Sequence, residues 1–197
     1  FFASDTRLSA RCENERWRSG TTAVAAVVDP KEIVIAWIGD SAAYILSDTR
    51  DLKKITNAHV PTNEAEAKRV EADGGQLLWI QGELRVNGVL NLTRALGDIC
   101  GRPMISPKAD TTVIERDMSQ YLILLACDGV SELFSDSEVL DMIKSFVAKH
   151  GYERYYDLSD HICRAALAGG SVDNVTCVAV FLRPPKDLWK LLGEDAD

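Results

Sequence analysis

Apolar runs separated by turn-forming residues characterise the first part of the chain. Residues 21–28 and 32–38 are rich in valine, isoleucine and alanine, and the sequence Asp-Pro-Lys at 29–31 separates them. This composition is typical of two strands joined by a turn. A glycine followed by Asp40 interrupts the second run before residues 43–46 resume it. The pattern predicts a β-hairpin and then a tight turn with Asp40 at its tip.

Helix-capping signals follow in the next segment. Thr62 or Asn63, directly after Pro61, can cap a helix that the paired glycines at 74–75 would end. Residues 76–80 are a strand candidate. The stretch beyond them is rich in glycine and proline, which predicts an irregular, exposed middle segment.

The second half has the strongest periodicity. Residues 121–127 are continuously apolar, as in a central strand buried on both faces. Ser135 and Glu138 form a capping-box pattern at the start of a helix that should end near Gly151. A second helix is predicted over 158–167.

The final apolar run, residues 175–182, predicts a strand that two prolines end. Residues 185–197 are predicted to be a tail, with a frayed acidic end over 194–197. Hairpins followed by grouped helices indicate an α+β fold. Residues 1–197 are expected to belong to one domain.

Composition then narrows the range of partners. Thirty acidic against 22 basic residues give a net charge of −8, which predicts that neither nucleic acid nor an anionic membrane is a partner. No apolar run approaches the roughly 20 residues of a membrane span. The five cysteines are widely spaced and include no CxxC pair, which favours reduced thiols in the cytosol or nucleus.

Acidic residues recur where predicted strands meet turns. Asp40 and Asp128 follow apolar runs, and Asp173 precedes one. Converging carboxylates need a cation, and oxygen ligands favour Mg²⁺ or Mn²⁺. Glu132 lies four residues after Asp128, so one helical turn would bring both acids to the same side. Each acid is also what an ordinary turn or first helical turn contains, so both interpretations stay open.

Several short segments, in order along the chain, resemble motifs of the metal-dependent serine/threonine protein phosphatases of the 2C type. The segments are SGTTA at 19–23, GDSAA at 39–43, HVP at 59–61, RVNG through LTRALGD at 85–98, LACDG at 125–129 and GSVDNVT at 170–176. They extend over nearly the whole chain. Residues 180–188 are similar to the branch that contains calmodulin-dependent-kinase phosphatases and a nematode sex-determination phosphatase.

The resemblance implies an α-β-β-α sandwich of two antiparallel sheets flanked by helices. It implies two core Mg²⁺ or Mn²⁺ ions with Asp128 and Asp173 as ligands. Asp40, Asp128 and Glu132 match the positions of a third, weaker ion, with glutamate in place of the usual aspartate at 132. The implied reaction is in-line hydrolysis of phosphoserine or phosphothreonine in phosphorylated protein substrates, and a regulatory protein partner is a further expectation. Arg94 could approach phosphate or form a structural salt bridge.

One family motif, DGHGG, does not occur in the 197 residues. Its aspartate and the following glycine bridge the two main metals in the family. We therefore expect that the chain is the C-terminal portion of a phosphatase domain whose N-terminal part is absent, and that it is inactive alone. The alternative is a pseudophosphatase that keeps the fold and acts as a binding or scaffold module. A small-molecule metallohydrolase on another fold is disfavoured by the order of the motifs.

Overall fold

A computed structural model describes residues 1–193. The elements in chain order are α1 (Phe2–Glu15), β1 (Gly20–Thr21), β2 (Ala23–Val28), β3 (Glu32–Ile38), β4 (Ala42–Ser47), β5 (Leu52–Lys54), α2 (Glu64–Ala72), β6 (Leu77–Ile80), β7 (Glu83–Val86), β8 (Leu96–Gly97), β9 (Asp110–Glu115), β10 (Gln120–Ala126), α3 (Asp128–Ser131), α4 (Asp136–Lys149), α5 (Leu158–Ala168), β11 (Cys177–Phe181) and α6 (Pro185–Gly193). Short 3₁₀ turns span Ile99–Gly101 and Tyr152–Asp157.

The largest sheet has the strand order β11-β10-β4-β5, and all its pairings are antiparallel. Leu124 of β10 lies opposite Tyr44 of β4 on one side and Ala179 of β11 on the other. A second sheet has the order β2-β3-β9, and β1-β8 and β6-β7 are two-stranded pairs. The predicted α+β class with antiparallel sheets and flanking helices is confirmed.

The chain forms two compact units. Unit 1 comprises Phe1–Ala26, Val34–Ser41 and Asn57–Thr112, and unit 2 comprises Val27–Ile33, Ala42–Thr56 and the residues from Val113 onward.

Unit 2 is built on β10, which is inside its sheet and buried on both faces, as the unbroken apolar run predicts. Helix α4 begins with the predicted capping box, in which Ser135 and Glu138 satisfy each other's backbone N–H groups. Its apolar stripe, including Ile143 and Phe146, is buried in one core with the sheet and with α5 and α6. The last residue of β10, Ala126, and the first residue of β11, Cys177, also pack in this core.

Unit 1 has a smaller core of Val70, Val86, Ala95 and Ile105. Helix α2 begins where the sequence predicts, because the side chain of Asn63 accepts a hydrogen bond from a first-turn amide. Within residues 1–193, no helix is both long and apolar enough to cross a bilayer.

Two local predictions need correction. The middle segment is not uniformly irregular and exposed, because it contains β6 to β8 and the buried Ala95. The segment predicted as a tail from residue 185 begins with α6, whose Leu188 and Leu192 are buried in the core of unit 2. Its predicted frayed end, 194–197, lies outside the described residues.

Helix α1 was not predicted, because it has no apolar stripe and buries only Asp5 and Cys12. Contacts within unit 1 hold it in place. The Asp5 carboxylate accepts hydrogen bonds from the Gly97 amide at 3.0 Å and from Arg102 at 2.7 Å.

Candidate functional site

The two acids assigned to the core metals lie at one edge of the large sheet in unit 2. Strands β10 and β11 are antiparallel, with Ala126 opposite Cys177. The end of β10 and the start of β11 therefore meet at the same edge. Asp128 is two residues beyond β10, and Asp173 is four residues before β11.

The loop before β11 packs closely against the residues that follow β10. The Cys127 amide donates to the Thr176 carbonyl at 3.1 Å, which extends the pairing beyond the named strands. The Cys127 thiol donates to the Asn174 carbonyl at 3.3 Å and accepts from the Thr176 amide at 3.2 Å. A Cβ on Gly129 would lie 2.8 Å from the Asn174 carbonyl oxygen. Only glycine at 129 permits this close approach, which holds the Asp173 loop beside Asp128.

Each of these two carboxylates is oriented by the next backbone amide. Asp128 Oδ1 accepts from Gly129 at 2.9 Å, and Asp173 Oδ1 accepts from Asn174 at 2.6 Å. Asp128 is partly buried and starts the short helix α3, whereas Asp173 is exposed. Such local bonds are typical of aspartate in turns, and they restrict the directions in which the second carboxylate oxygen can point.

Glu132 follows Asp128 by one helical turn, as the spacing predicts, because its amide donates to the Asp128 carbonyl at 3.0 Å. Its side chain is exposed. Asp40 is buried in unit 1, in the turn after β3. The assignment of Asp40, Asp128 and Glu132 to a third ion stays a prediction.

The chemistry of the donors fits Mg²⁺ or Mn²⁺, because both ions prefer carboxylate oxygens. Asp128 and Asp173 are the residues of unit 2 that would hold such an ion. Over the described range 1–193, no three or more Asp, Glu, His or Cys side chains form a group that could hold a metal. The described residues thus provide donors of the right kind without a full ligand set.

In the Asp40 turn of unit 1, His59 binds the backbone on both sides of the Gly39 Cα. The Gly39 amide donates to His59 Nδ1 at 3.0 Å, and the His59 amide donates to the Gly39 carbonyl at 2.9 Å. Because Nδ1 accepts, the proton of the neutral ring is on Nε2, which lies 3.2 Å from an Asp110 carboxylate oxygen. Burial lowers the pKa of His59 despite the opposing effect of the hydrogen bond with Asp110.

Arg94 and Glu66 form the centre of a buried ion-pair network in the same unit. Arg94 contacts Glu66 through Nε at 3.0 Å and Asp110 through Nη1 at 2.7 Å. Glu66 also accepts hydrogen bonds from Thr93 Oγ1 at 2.7 Å and Arg69 Nη2 at 3.0 Å. Of the two roles open to Arg94 from the sequence, the structure shows the salt bridge.

Burial tends to raise the pKa of Glu66, but the hydrogen bonds from Arg94, Thr93 and Arg69 outweigh it and lower the pKa to about 2. Sequence reasoning missed Glu66. The available signal was its spacing from Val70, because residues four apart on a helix share a face and Val70 is in the core.

Comparison with known proteins identifies the family. The model of the family described as protein phosphatase 2C matches residues 1–175. The chain belongs to the protein phosphatase 2C family. Members of this family are serine/threonine protein phosphatases, and dependence on Mg²⁺ or Mn²⁺ is general among them.

Two curated relatives lie in the branch that the sequence suggested. Protein phosphatase fem-2 of Caenorhabditis elegans is 47% identical over 195 residues, which are 98% of this chain and 43% of the relative. Human protein phosphatase 1F is 33% identical over 188 residues, covering 95% of this chain and 41% of the relative. The chain thus spans less than half the length of these relatives.

Solved structures give the same result for the fold. A structure described as a C. elegans sex-determining protein has a TM-score of 0.92 and 47% identity, and the match covers 95% of this chain and 46% of that one. A serine-threonine phosphatase 2C from Toxoplasma gondii has a TM-score of 0.78 at 20% identity, with 91% and 64% covered, which shows the shared fold alone.

Proposed function

We propose that this chain supplies the Asp128 and Asp173 side of the metal centre of a protein phosphatase that hydrolyses phosphoserine and phosphothreonine in proteins. The observation that carries the proposal is the sheet edge of unit 2, where the end of β10, followed by Asp128, meets the start of β11, preceded by Asp173. Family membership supports it.

The residues of the chain would act by holding and orienting carboxylate oxygens. The Gly129 and Asn174 amides bind Oδ1 of Asp128 and Asp173, respectively, and a cation would bind through the Oδ2 atoms. A divalent cation bound there would supply Lewis acidity, offset the charge of the phosphate and lower the pKa of a water molecule. The close approach of Gly129 to the Asn174 carbonyl would hold the loop that carries Asp173 against the residues that follow β10.

Several further expectations belong to this proposal. Asp40 and Glu132 would contribute to a third, weaker ion. The substrates would be phosphorylated proteins, a regulatory protein partner is expected, and the cytosol or nucleus is the proposed location. That residues 1–197 are inactive by themselves also stays a prediction, and Mn²⁺-dependent turnover by the isolated chain would contradict it.

The test is a phosphopeptide assay on the full natural polypeptide with Mn²⁺, comparing Asp128→Asn and Asp173→Asn with the parent. Each change should lower turnover at least about 100-fold. Mutating a group that only hydrogen-bonds to a metal ligand already costs up to about 100-fold, and these changes alter the proposed ligands themselves. Asp141→Asn, an exposed acid on α4, is the matched control and should retain full activity.

The outcomes separate enzyme from scaffold. Metal-dependent turnover that either strand-end substitution abolishes supports the phosphatase. A folded parent protein without turnover on any phosphopeptide, at any Mn²⁺ concentration, would favour the pseudophosphatase. Turnover that survives both substitutions would place the metal centre elsewhere.

A further inference from the structure

We propose that His59 is a positioning residue that fixes Gly39, the residue before Asp40, by accepting the Gly39 N–H on its unprotonated Nδ1 while Asp110 holds the ring in orientation. The structural part of this inference is independent of catalysis. Its consequence for the cation rests on the proposed function, because Asp40 is assigned to an ion only there.

Gly39 has little freedom to find other hydrogen-bond partners. Its φ of +92° lies in the left-handed region, and a Cβ there would be 2.2 Å from the Thr22 methyl group. The peptide at Gly39 is therefore tightly packed as well as conformationally unusual. Its N–H and C=O both bond to His59, at 3.0 Å and 2.9 Å, so one residue satisfies both polar groups of Gly39.

The imidazole ring of His59 is itself immobilised. His59 is 2% exposed and stacks nearly parallel to Trp37, with an interplanar angle of 8°. Its Nε2 donates to Asp110, which accepts a second hydrogen bond from Arg94. Arg94 is anchored on Glu66 in turn. A ring held at both its face and its edge can present Nδ1 in only one direction. Hydrogen-bond partners that lie behind metal ligands orient those ligands in the same way.

The expected consequence is a change in cation dependence rather than in the chemical step. Asp40 directly follows Gly39, so loosening the backbone at Gly39 adds conformational freedom that a bound cation must remove. Without the His59 bond, the Mn²⁺ concentration for half-maximal activity should rise. Turnover at saturating Mn²⁺ should change little, because the proposed function assigns the chemical step to the ions held by Asp128 and Asp173 and assigns Asp40 to a further, weaker ion.

The test uses two substitutions, each of which keeps a polar group near one of the two ring nitrogens of His59. Asn places an oxygen near the position of Nδ1, so His59→Asn should keep an acceptor for the Gly39 amide while losing the bond to Asp110. Gln places its polar group near Nε2, so His59→Gln should lose that acceptor. His161→Gln is the control, because His161 bonds to Ser145 in the other unit.

The primary readout is hydrogen exchange at the Gly39 amide in the full natural polypeptide, resolved by fragmentation mass spectrometry. Loss of one hydrogen bond should speed exchange about tenfold in His59→Gln, while His59→Asn stays closer to the parent. Equal protection in the parent and His59→Gln would overturn the proposal. Equal acceleration in both variants would also overturn it, because the effect would then reflect lost packing rather than the acceptor.

Two further measurements test the role of His59, one of them without any variant or any turnover. Nitrogen NMR of the histidine-labelled parent at pH 7 should show an unprotonated, hydrogen-bonded Nδ1 on His59, and a protonated Nδ1 would refute the geometry. In active protein, His59→Gln should raise the half-maximal Mn²⁺ concentration about tenfold relative to His59→Asn. Absence of turnover in the parent would count against the proposed function alone, since exchange and NMR still decide the role of His59.

Discussion

Glu66 should be the largest single source of pH-dependent stability in unit 1. Its carboxylate is 4% exposed and accepts hydrogen bonds from Arg94, Arg69 and Thr93, which lower its pKa from 4.5 to about 2. At about 1.4 kcal/mol per pKa unit, the ionised form stabilises the folded state by about 3 kcal/mol at pH 7.

The substitution Glu66→Gln imitates the protonated acid in shape and charge. It should lower the free energy of unfolding by about 3 kcal/mol at pH 7, because it leaves two arginines without their buried counter-charge. Because the folded-state pKa is lowered, this stabilisation is present above pH 4.5 and is lost as the pH falls toward 2. At pH 3.5 the parent should already have lost about 1.4 kcal/mol of it, so the difference between parent and variant should narrow to about 2 kcal/mol.

Urea denaturation with linear extrapolation at pH 7 and pH 3.5 measures both differences. Glu64→Gln is the matched control, because Glu64 is on the same helix and pairs with Lys68 while 82% exposed. Its change should stay within about 0.5 kcal/mol. A cost for Glu66→Gln no larger than this control, or a difference that does not narrow at low pH, would refute the reasoning.

Two glycine substitutions test the packing of the turns. Gly39→Ala should destabilise the protein more than Gly74→Ala. Both residues have positive φ, but of the two only a Cβ at 39 would overlap a neighbour, the Thr22 side chain. Gly74→Ala should lower the free energy of unfolding by about 1–2 kcal/mol in urea denaturation, and an equal cost for Gly39→Ala would contradict the overlap. Gly129→Ala should cost about 1–3 kcal/mol and should lower the phosphatase activity proposed for the full natural polypeptide, because its Cβ would displace the Asn174 carbonyl. Full activity with unchanged stability would show that the loop can move freely.

The local elements were largely predictable because their signals are short in range. The unbroken apolar run of β10, the Ser135 cap of α4 and the Asn63 cap of α2 each depend on neighbouring residues, and the structure shows each of them. Helix α1 was missed because Asp5 bonds to Gly97, a residue 92 positions away. No local pattern contains such a contact.

The candidate site was likewise only partly predictable from the sequence. Sequence alone placed Asp128 and Asp173 at strand ends, because a buried strand followed or preceded by a turn is visible in the order of residue types. It could not show that the Gly129 and Asn174 backbones touch, since that contact depends on which strands pair and in what register.

By itself, the sequence determined the family and the fold class, because motif order and hydrophobic periodicity are properties of the linear chain. Only the tertiary structure showed that His59 holds the Gly39 peptide and that Glu66 lies buried between two arginines. The sign and size of a pKa shift, and the direction in which a ring nitrogen points, depend on neighbours that folding brings together from distant parts of the chain.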